Sequence, residues 1–255
     1  MDSISKAEEV IPGLWACVDA EEVAARAAGL FISLATQAVA ARGYFRAALS
    51  GGSTPQRTYE LLASVSRSLK VPWKNVEIFW SDERYVSPDD AGSNFRMTRE
   101  ALLDHVPLPA ANIYPVPTQL HPPPEAAAAY EKSIRRAFAE EHGIPCFDLI
   151  FLGLGTNGHT ASLFPGSPLV QEADRLVAAD FVGELKAWRI TMTAPLLNRG
   201  RSIAFLVTGR QKAEVLRNVV KGPYLPETFP AQLIRPAAGN LLWIADREAA
   251  SLIGR

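Results

Sequence analysis

Residues 147–167, FDLIFLGLGTNGHTASLFPGS, set the tightest limit on how this 255-residue chain folds. The stretch opens as a short apolar run bounded by turn residues, the pattern of a buried strand. It then breaks into Gly153, Gly155 and Gly158, and His159 follows the last glycine. A buried strand that runs into a glycine loop is how open α/β sheets build their sites, outside the carboxyl ends of the strands. Glycines let backbone approach a ligand, and successive amides can hold an anion. His159 is the one residue there able to gain or lose a proton near pH 7. Taken alone, the same residues also fit a plain strand-to-helix turn with a hydrogen-bonded histidine.

The rest of the chain repeats that rhythm. Asp19 with Glu22 three residues on is a capping start for a helix reaching about Arg42 and Gly43. The segment 44–49, YFRAAL, reads as a strand that ends at Ser50, Gly51, Gly52, Ser53, Thr54 and Pro55. Pro55 suits the first turn of a helix to about residue 66. Strand, glycine loop and helix make the local geometry of a phosphate cradle, where free amides and the positive helix end face the anion. Ser53 and Thr54 add hydroxyls. The loop has neither the lysine of a nucleotide-triphosphate loop nor a GxGxxG pattern, so no nucleotide is implied.

A third strand, VEIFW at 76–80, runs straight into Ser81, Asp82, Glu83, Arg84 and Tyr85. These charges are expected at the same sheet edge as the two glycine loops, a solvated loop being their ordinary reading. Helices are expected at 94–105, capped by Ser93, and at 125–141, with Tyr130, Ile134 and Phe138 on one side. Proline-rich stretches near 107–109 and 115–124 read as surface loops. Strands follow at 176–179, 188–193, 202–208 and 240–246, with Lys212 opening a helix after Gly209 and a short helix ending the chain. Alternating strands and helices predict an α/β fold. The expectation is a Rossmann-like, open, mostly parallel sheet with helices on both faces, in one domain over 1–255.

A net charge of -1 with no block of like charge gives no general attraction to nucleic acid or to an acidic membrane surface. Cys17 and Cys146 have neither metal spacing nor a disulfide framework. The start of the chain lacks the pattern of a secretory leader. No stretch reads as apolar for the ~18 residues a membrane helix needs. A cytoplasmic protein is expected.

Six ordered motifs together resemble the 6-phosphogluconolactonase family. They are LSGGSTP (49–55), WSDERYV (80–86) with SNF (93–95), GLGTNGHTASLFPG (153–166), RITMTAPLLN (189–198), TGRQKAEVL (208–216), and PAQLIRP (230–236) with WIAD (243–246). The resemblance covers nearly the whole chain after Asp19 and implies a Rossmann-like sheet without a dinucleotide. It implies hydrolysis of 6-phospho-D-glucono-1,5-lactone, with no metal and no organic cofactor. The expected partner is a small-molecule sugar-phosphate lactone, and the protein a monomer or small homo-oligomer.

Carried over by motif, Ser50, Gly51, Gly52, Ser53, Thr54 and Lys212 hold the phosphate, and His159 is the catalytic base. Gly155, Gly158 and Arg189 line the substrate site, and Asp82 belongs with the catalytic group. Arg84, or the amides around Gly155 to Gly158, is expected to hold the oxyanion. The family usually has an aspartate two residues before the histidine; here that place is Asn157, which accepts the same hydrogen bond without a charge. Glucosamine-6-phosphate deaminase is the nearest rival. Its asparagine–glutamate pair after the histidine is replaced by Leu163, Phe164 and Pro165, and its Asp-Glu-Tyr by Asp82, Glu83 and Arg84. A catalytically silent sugar-phosphate binder is the rival of another class.

Overall fold

The computed structural model describes residues 7–139 and 143–254. In chain order the elements are β1 (Glu8–Ile11), β2 (Leu14–Cys17), α1 (Ala20–Arg42), β3 (Phe45–Leu49), α2 (Ser53–Ala63), α3 (Val65–Ser68), β4 (Val76–Trp80) and β5 (Asp82–Arg84). Then come α4 (Asn94–Ala101), α5 (Pro123–Ala137), β6 (Leu149–Gly153), β7 (Val177–Val182) and β8 (Ala187–Met192). The chain closes with α6 (Ala194–Leu197), β9 (Ser202–Val207), α7 (Ala213–Lys221) and β10 (Asn240–Asp246).

Local chemistry explains the boundaries. Asp19 accepts the Glu22 amide at 2.9 Å, and the Glu22 carboxylate turns back to the Val18 amide at 2.6 Å, so α1 starts at its capping pair. Gly43, at φ 84, ends it in the left-handed region. By composition α1 holds an 18-residue window of mean hydropathy 1.4, apolar enough to cross a membrane, against the sequence expectation. In the fold it is a core helix, burying Val23, Ala24, Ala27, Ala28, Phe31, Ala35 and Ala38. Those small residues let it lie close on the sheet.

The main sheet has seven strands in the order β1-β2-β10-β9-β6-β3-β4, parallel except for the β1–β2 hairpin at one edge. Every residue of β3 and of β9 is buried, which explains their largely apolar sequences; the buried Arg46 of β3 is paired with Glu77 at 2.8 Å. From β3 the chain moves outward to β4, then crosses back to place β6 on the other side of β3 and continues through β9 to β10. The sheet therefore switches direction between β3 and β6. The loops leaving the carboxyl ends of these two neighbours diverge and open a crevice.

Several expectations are corrected. Residues 82–84 are not a loop: they form β5, antiparallel to β8, in a separate three-stranded sheet ordered β5-β8-β7. Tertiary pairing with Thr191, Ile190 and Arg189 outweighs the poor strand propensity of three charged residues. The β1–β2 hairpin adds two short strands that the sequence pattern does not announce. Helix α4 ends at Ala101, and a single 3-10 turn covers Leu103–His105. Helix α5 starts earlier than expected and ends at Ala137; Glu140 and Glu141 lie outside the described residues. After Asp246 the chain runs in turns, with no terminal helix among the described residues.

Candidate active site

At the switch point lies a cleft of ≈ 760 Å³, lined by residues from the ends of β3, β6 and β9 and from β5 and β8. Of the thirteen residues singled out from the sequence, all but Gly158 border it. Tertiary structure thus gathers segments more than 150 positions apart in the chain.

The loop after β3 supports an anion site through its backbone. Gly52, at φ 108, turns the chain into α2, and the Gln56 amide returns to the Gly52 carbonyl at 3.0 Å. Among the described residues, the amides of Gly51, Gly52, Ser53 and Thr54 have no protein acceptor. They belong to the open end of a helix, where the positive dipole end lies. The Ser50 amide is not available, since it donates to the Tyr59 hydroxyl at 3.1 Å. That corrects the expected cradle at its first residue. Of the side chains, the Thr54 hydroxyl is paired with Thr208 at 2.7 Å, and Ser50 Oγ is buried without a partner. Lys212 arrives at the same cleft on the turn between β9 and α7. That turn is held by Asp246, which accepts the Gly209 amide at 2.8 Å. Burial lowers the Lys212 ammonium below its ordinary pKa.

The loop after β6 is built the opposite way. The Gly155 amide donates to the His159 carbonyl at 2.8 Å and the Gly158 amide to the Gly155 carbonyl at 3.0 Å. Neither is left to meet an oxyanion, which corrects that expectation for these two glycines. Their role is steric. A Cβ on Gly155 would stand 2.1 Å from His159 Nδ1. At Gly158, φ is +85 and a Cβ would stand 2.7 Å from the Phe229 ring.

His159 Nδ1 lies 2.6 Å from Asn157 Oδ1, and the same oxygen accepts the His159 backbone amide at 3.3 Å. The amide oxygen faces the ring, so Nδ1 carries the proton and Nε2 keeps its lone pair. Phe164 stacks on the imidazole at 4.2 Å and fixes its plane. Burial first, then the positive charges of Lys212 and Arg189, lowers the imidazole pKa to about 4. At neutral pH the ring is a neutral base.

Asp82, Arg84 and Arg189 close the cleft from the small sheet. Asp82 is buried and accepts the Ser162 hydroxyl at 2.7 Å; its desolvation raises the carboxyl pKa. Arg84 and Arg189 are register partners on β5 and β8. One Arg84 nitrogen donates to the Gly92 carbonyl at 2.5 Å. Burial and the Arg84 charge lower the Arg189 pKa. Glu83, between two cleft residues, points elsewhere: its carboxylate accepts the amides of Arg84, Asn94 and Phe95 and caps α4. Among the described residues, no carboxylate bonds to His159; Asn157 supplies the hydrogen bond to its ring and Phe164 the stacking contact. No group of three or more His, Cys, Asp or Glu side chains gathers among the described residues to hold a metal.

Sequence reasoning missed Asn94, Thr208 and Ser162 as individual residues, and took Phe164 only as a departure from the deaminase pattern. All four line the cleft or bond to a residue that does. Asn94 is the most informative. Its Nδ2 donates to the Asp82 carbonyl at 2.9 Å, and its Oδ1 is buried without a partner, 1.9 Å from where a Cβ on Gly51 would be. The available signal was an amide side chain at the first position of a helix, turned inward.

Comparison with known proteins agrees with this geometry. The family described as glucosamine-6-phosphate isomerases/6-phosphogluconolactonase matches residues 18–243. A 6-phosphogluconolactonase of Synechocystis sp. is 45% identical over 216 residues, covering 84% of this chain and 87% of that protein. One from Nostoc sp. is 39% identical over 248 residues, covering 96% and 98%. The solved structure of 6-phosphogluconolactonase from Trypanosoma cruzi superposes with a TM-score of 0.84 at 29% identity, covering 96% of this chain and 98% of that one. A monomeric glucosamine-6-phosphate deaminase shares the fold, with a TM-score of 0.80 at 21% identity, covering 94% and 99%. With its cleft at the switch point of a mostly parallel sheet and a family match along nearly its whole length, the chain belongs to the glucosamine-6-phosphate isomerase/6-phosphogluconolactonase family.

Proposed function

We propose that the protein hydrolyses 6-phospho-D-glucono-1,5-lactone to 6-phospho-D-gluconate, with His159 as general base. The observation that carries this reading is His159 itself. It is neutral, held through Nδ1 by Asn157, with the Nε2 lone pair left to take a proton, in the same cleft as the Gly51–Thr54 amides and Lys212. The phosphate binds at those amides and at Lys212, far enough from the lactone carbonyl to serve for orientation.

Water attacks the lactone carbonyl while His159 Nε2 takes its proton. The tetrahedral oxyanion is stabilised by the guanidinium groups of Arg84 or Arg189. The intermediate collapses with cleavage of the ring C–O bond, and the imidazolium returns its proton to the departing ring oxygen. The new carboxylic acid ionises and releases one proton to solvent. No cofactor is needed for this balance.

Phe164 argues against the deaminase alternative, because an apolar ring stacks on His159 where that chemistry uses a glutamate. The test is continuous acid release from freshly made 6-phosphogluconolactone, with and without protein, beside ammonia release from glucosamine 6-phosphate. Acceleration of the first and silence in the second is the expected result. Ammonia release, or ligand binding with no acceleration of lactone opening, would sink the reading.

A further inference from the structure

Two tyrosines far from each other in sequence do the same thing at neighbouring places in the fold. Tyr59 on α2 is fully buried; its hydroxyl accepts the Ser50 amide at 3.1 Å and donates to the Ser50 carbonyl at 2.9 Å. Tyr130 on α5 is buried as deeply; its hydroxyl accepts the Trp80 amide at 2.8 Å and donates to the Trp80 carbonyl at 3.0 Å. Each phenol satisfies both backbone groups of one residue where a strand leaves the sheet. Leu49 and Trp80 are register partners, so the Ser50 clamp lies one residue beyond the level of the Trp80 clamp on the β3–β4 pair. Ser81 ties the exits together, donating its amide at 2.8 Å and its hydroxyl at 3.1 Å to the Leu49 carbonyl.

The two clamps lead into different chemistry. After Ser50 come Gly51 and Gly52, the most permissive residues available, carrying amides that need a fixed direction to hold an anion. Glycine supplies no such direction, so anchors must impose it. Upstream the anchor is Tyr59. At Gly51 it is Asn94, which fills the space a side chain would take. After Trp80 come Ser81, Asp82 and Arg84, which approach the reacting end of the cleft.

We infer that Tyr59 and Tyr130 are positioning residues for opposite ends of the cleft, Tyr59 aligning the phosphate-holding amides and Tyr130 aligning the strand that carries Asp82 and Arg84. The inference rests on the lactonase reading above. Burial raises both phenol pKa values, so each hydroxyl remains donor and acceptor at once over the working pH range. Removing either hydroxyl orphans a buried amide and a buried carbonyl. A merely structural role for the pair would therefore give two variants with similar losses of stability and the same kinetic signature.

The test compares Tyr59→Phe with Tyr130→Phe on phosphorylated and unphosphorylated gluconolactone. In Tyr59→Phe, the preference for the phosphorylated lactone, as a ratio of kcat/KM values, should fall about tenfold, mainly through KM. In Tyr130→Phe the ratio should hold while kcat falls on both lactones. A preference retained by both variants, or lost equally by both, overturns the inference. If the wild type shows no such preference, the functional reading fails and the inference falls with it. Should Tyr59→Phe not fold, fluorotyrosine placed at position 59 keeps the hydroxyl but alters its hydrogen bonding. The Kd for inorganic phosphate should then rise about twofold with the label at 59 and stay fixed with the label at 130. No change at 59 is the contrary result.

Discussion

The two glycine loops of the cleft look alike in sequence and work in opposite ways. The loop after β3 leaves the amides of Gly51, Gly52, Ser53 and Thr54 without protein partners and is braced from outside by Tyr59 and Asn94. The loop after β6 turns the amides of Gly155 and Gly158 inward, to His159 and Gly155, and presents His159 to the cleft beside Thr156 and Asn157. An anion is held by several weak dipoles pointing one way, so the first loop must keep its donors free. A general base works from one atom in one orientation, so in the proposed function the second loop gives up its donors for rigidity. Glycine serves both: backbone exposure in one, and room for a neighbouring ring in the other.

That contrast breaks most sharply at His159. His159→Ala should lower kcat about a thousandfold while binding of inorganic phosphate persists, because general-base catalysis typically accounts for factors of 10²–10⁴. Continuous acid release and a phosphate titration measure the two quantities; an unchanged kcat would falsify the role of the histidine.

The next test exchanges one glycine in each loop. Gly155→Ala places a methyl 2.1 Å from His159 Nδ1 and should reduce kcat about a hundredfold through displacement of the ring. Gly51→Ala meets Asn94 Oδ1 at 1.9 Å and should act chiefly on KM for the phosphorylated lactone. If the two alanines give the same division between kcat and KM, the loops are not specialised.

Lys212→Ala sharpens the anion side. Loss of a charged hydrogen bond to phosphate should cut kcat/KM for the phosphorylated lactone roughly tenfold or somewhat more. Hydrolysis of unphosphorylated gluconolactone supplies the comparison, and equal losses on both lactones would remove Lys212 from the phosphate site.

The smallest effect belongs to Asn157. With burial and two nearby cations lowering its pKa to about 4, His159 should titrate far below the ordinary histidine range in an NMR pH titration of the free protein. The sign follows from burial as the neutral form: as pH falls from ~6.5 toward 4, the unfolded chain takes up a proton that the folded ring refuses, so this group destabilises the fold in acid. Asn157→Asp gives the imidazolium an anionic partner and should move the midpoint upward. At pH 7 the rate should change by about twofold at most, because the base is already neutral. A midpoint that does not move in Asn157→Asp would show that position 157 does not govern the ring.

Much of this was legible before the structure. Short, largely apolar runs such as SIAFLV and FRAAL read as buried strands, and each led into a glycine loop, which placed the site at their carboxyl ends. The Asp19–Glu22 pair and Gly43 bounded α1 because caps act within a few residues. Family motifs supplied the candidate base and phosphate loop. Local patterns could be read this far because backbone hydrogen bonding and side-chain period are short-range properties.

Other features were decided only by contacts between distant segments. Asp82, Glu83 and Arg84 have no strand preference of their own; β8 makes them a strand, and α4 takes Glu83 away from the cleft to satisfy its orphan amides. Which amides remain free depends on Tyr59 reaching Ser50 and on the inward closure of the β6 loop. Asn94 acquires its role from the close approach of Gly51, 43 positions away. Sequence alone determined which residues are chemically able to do the work. The tertiary fold decided which of their donors and acceptors are left over to do it, because a polar group buried in the protein bonds to whatever partner the packing brings within about 3 Å.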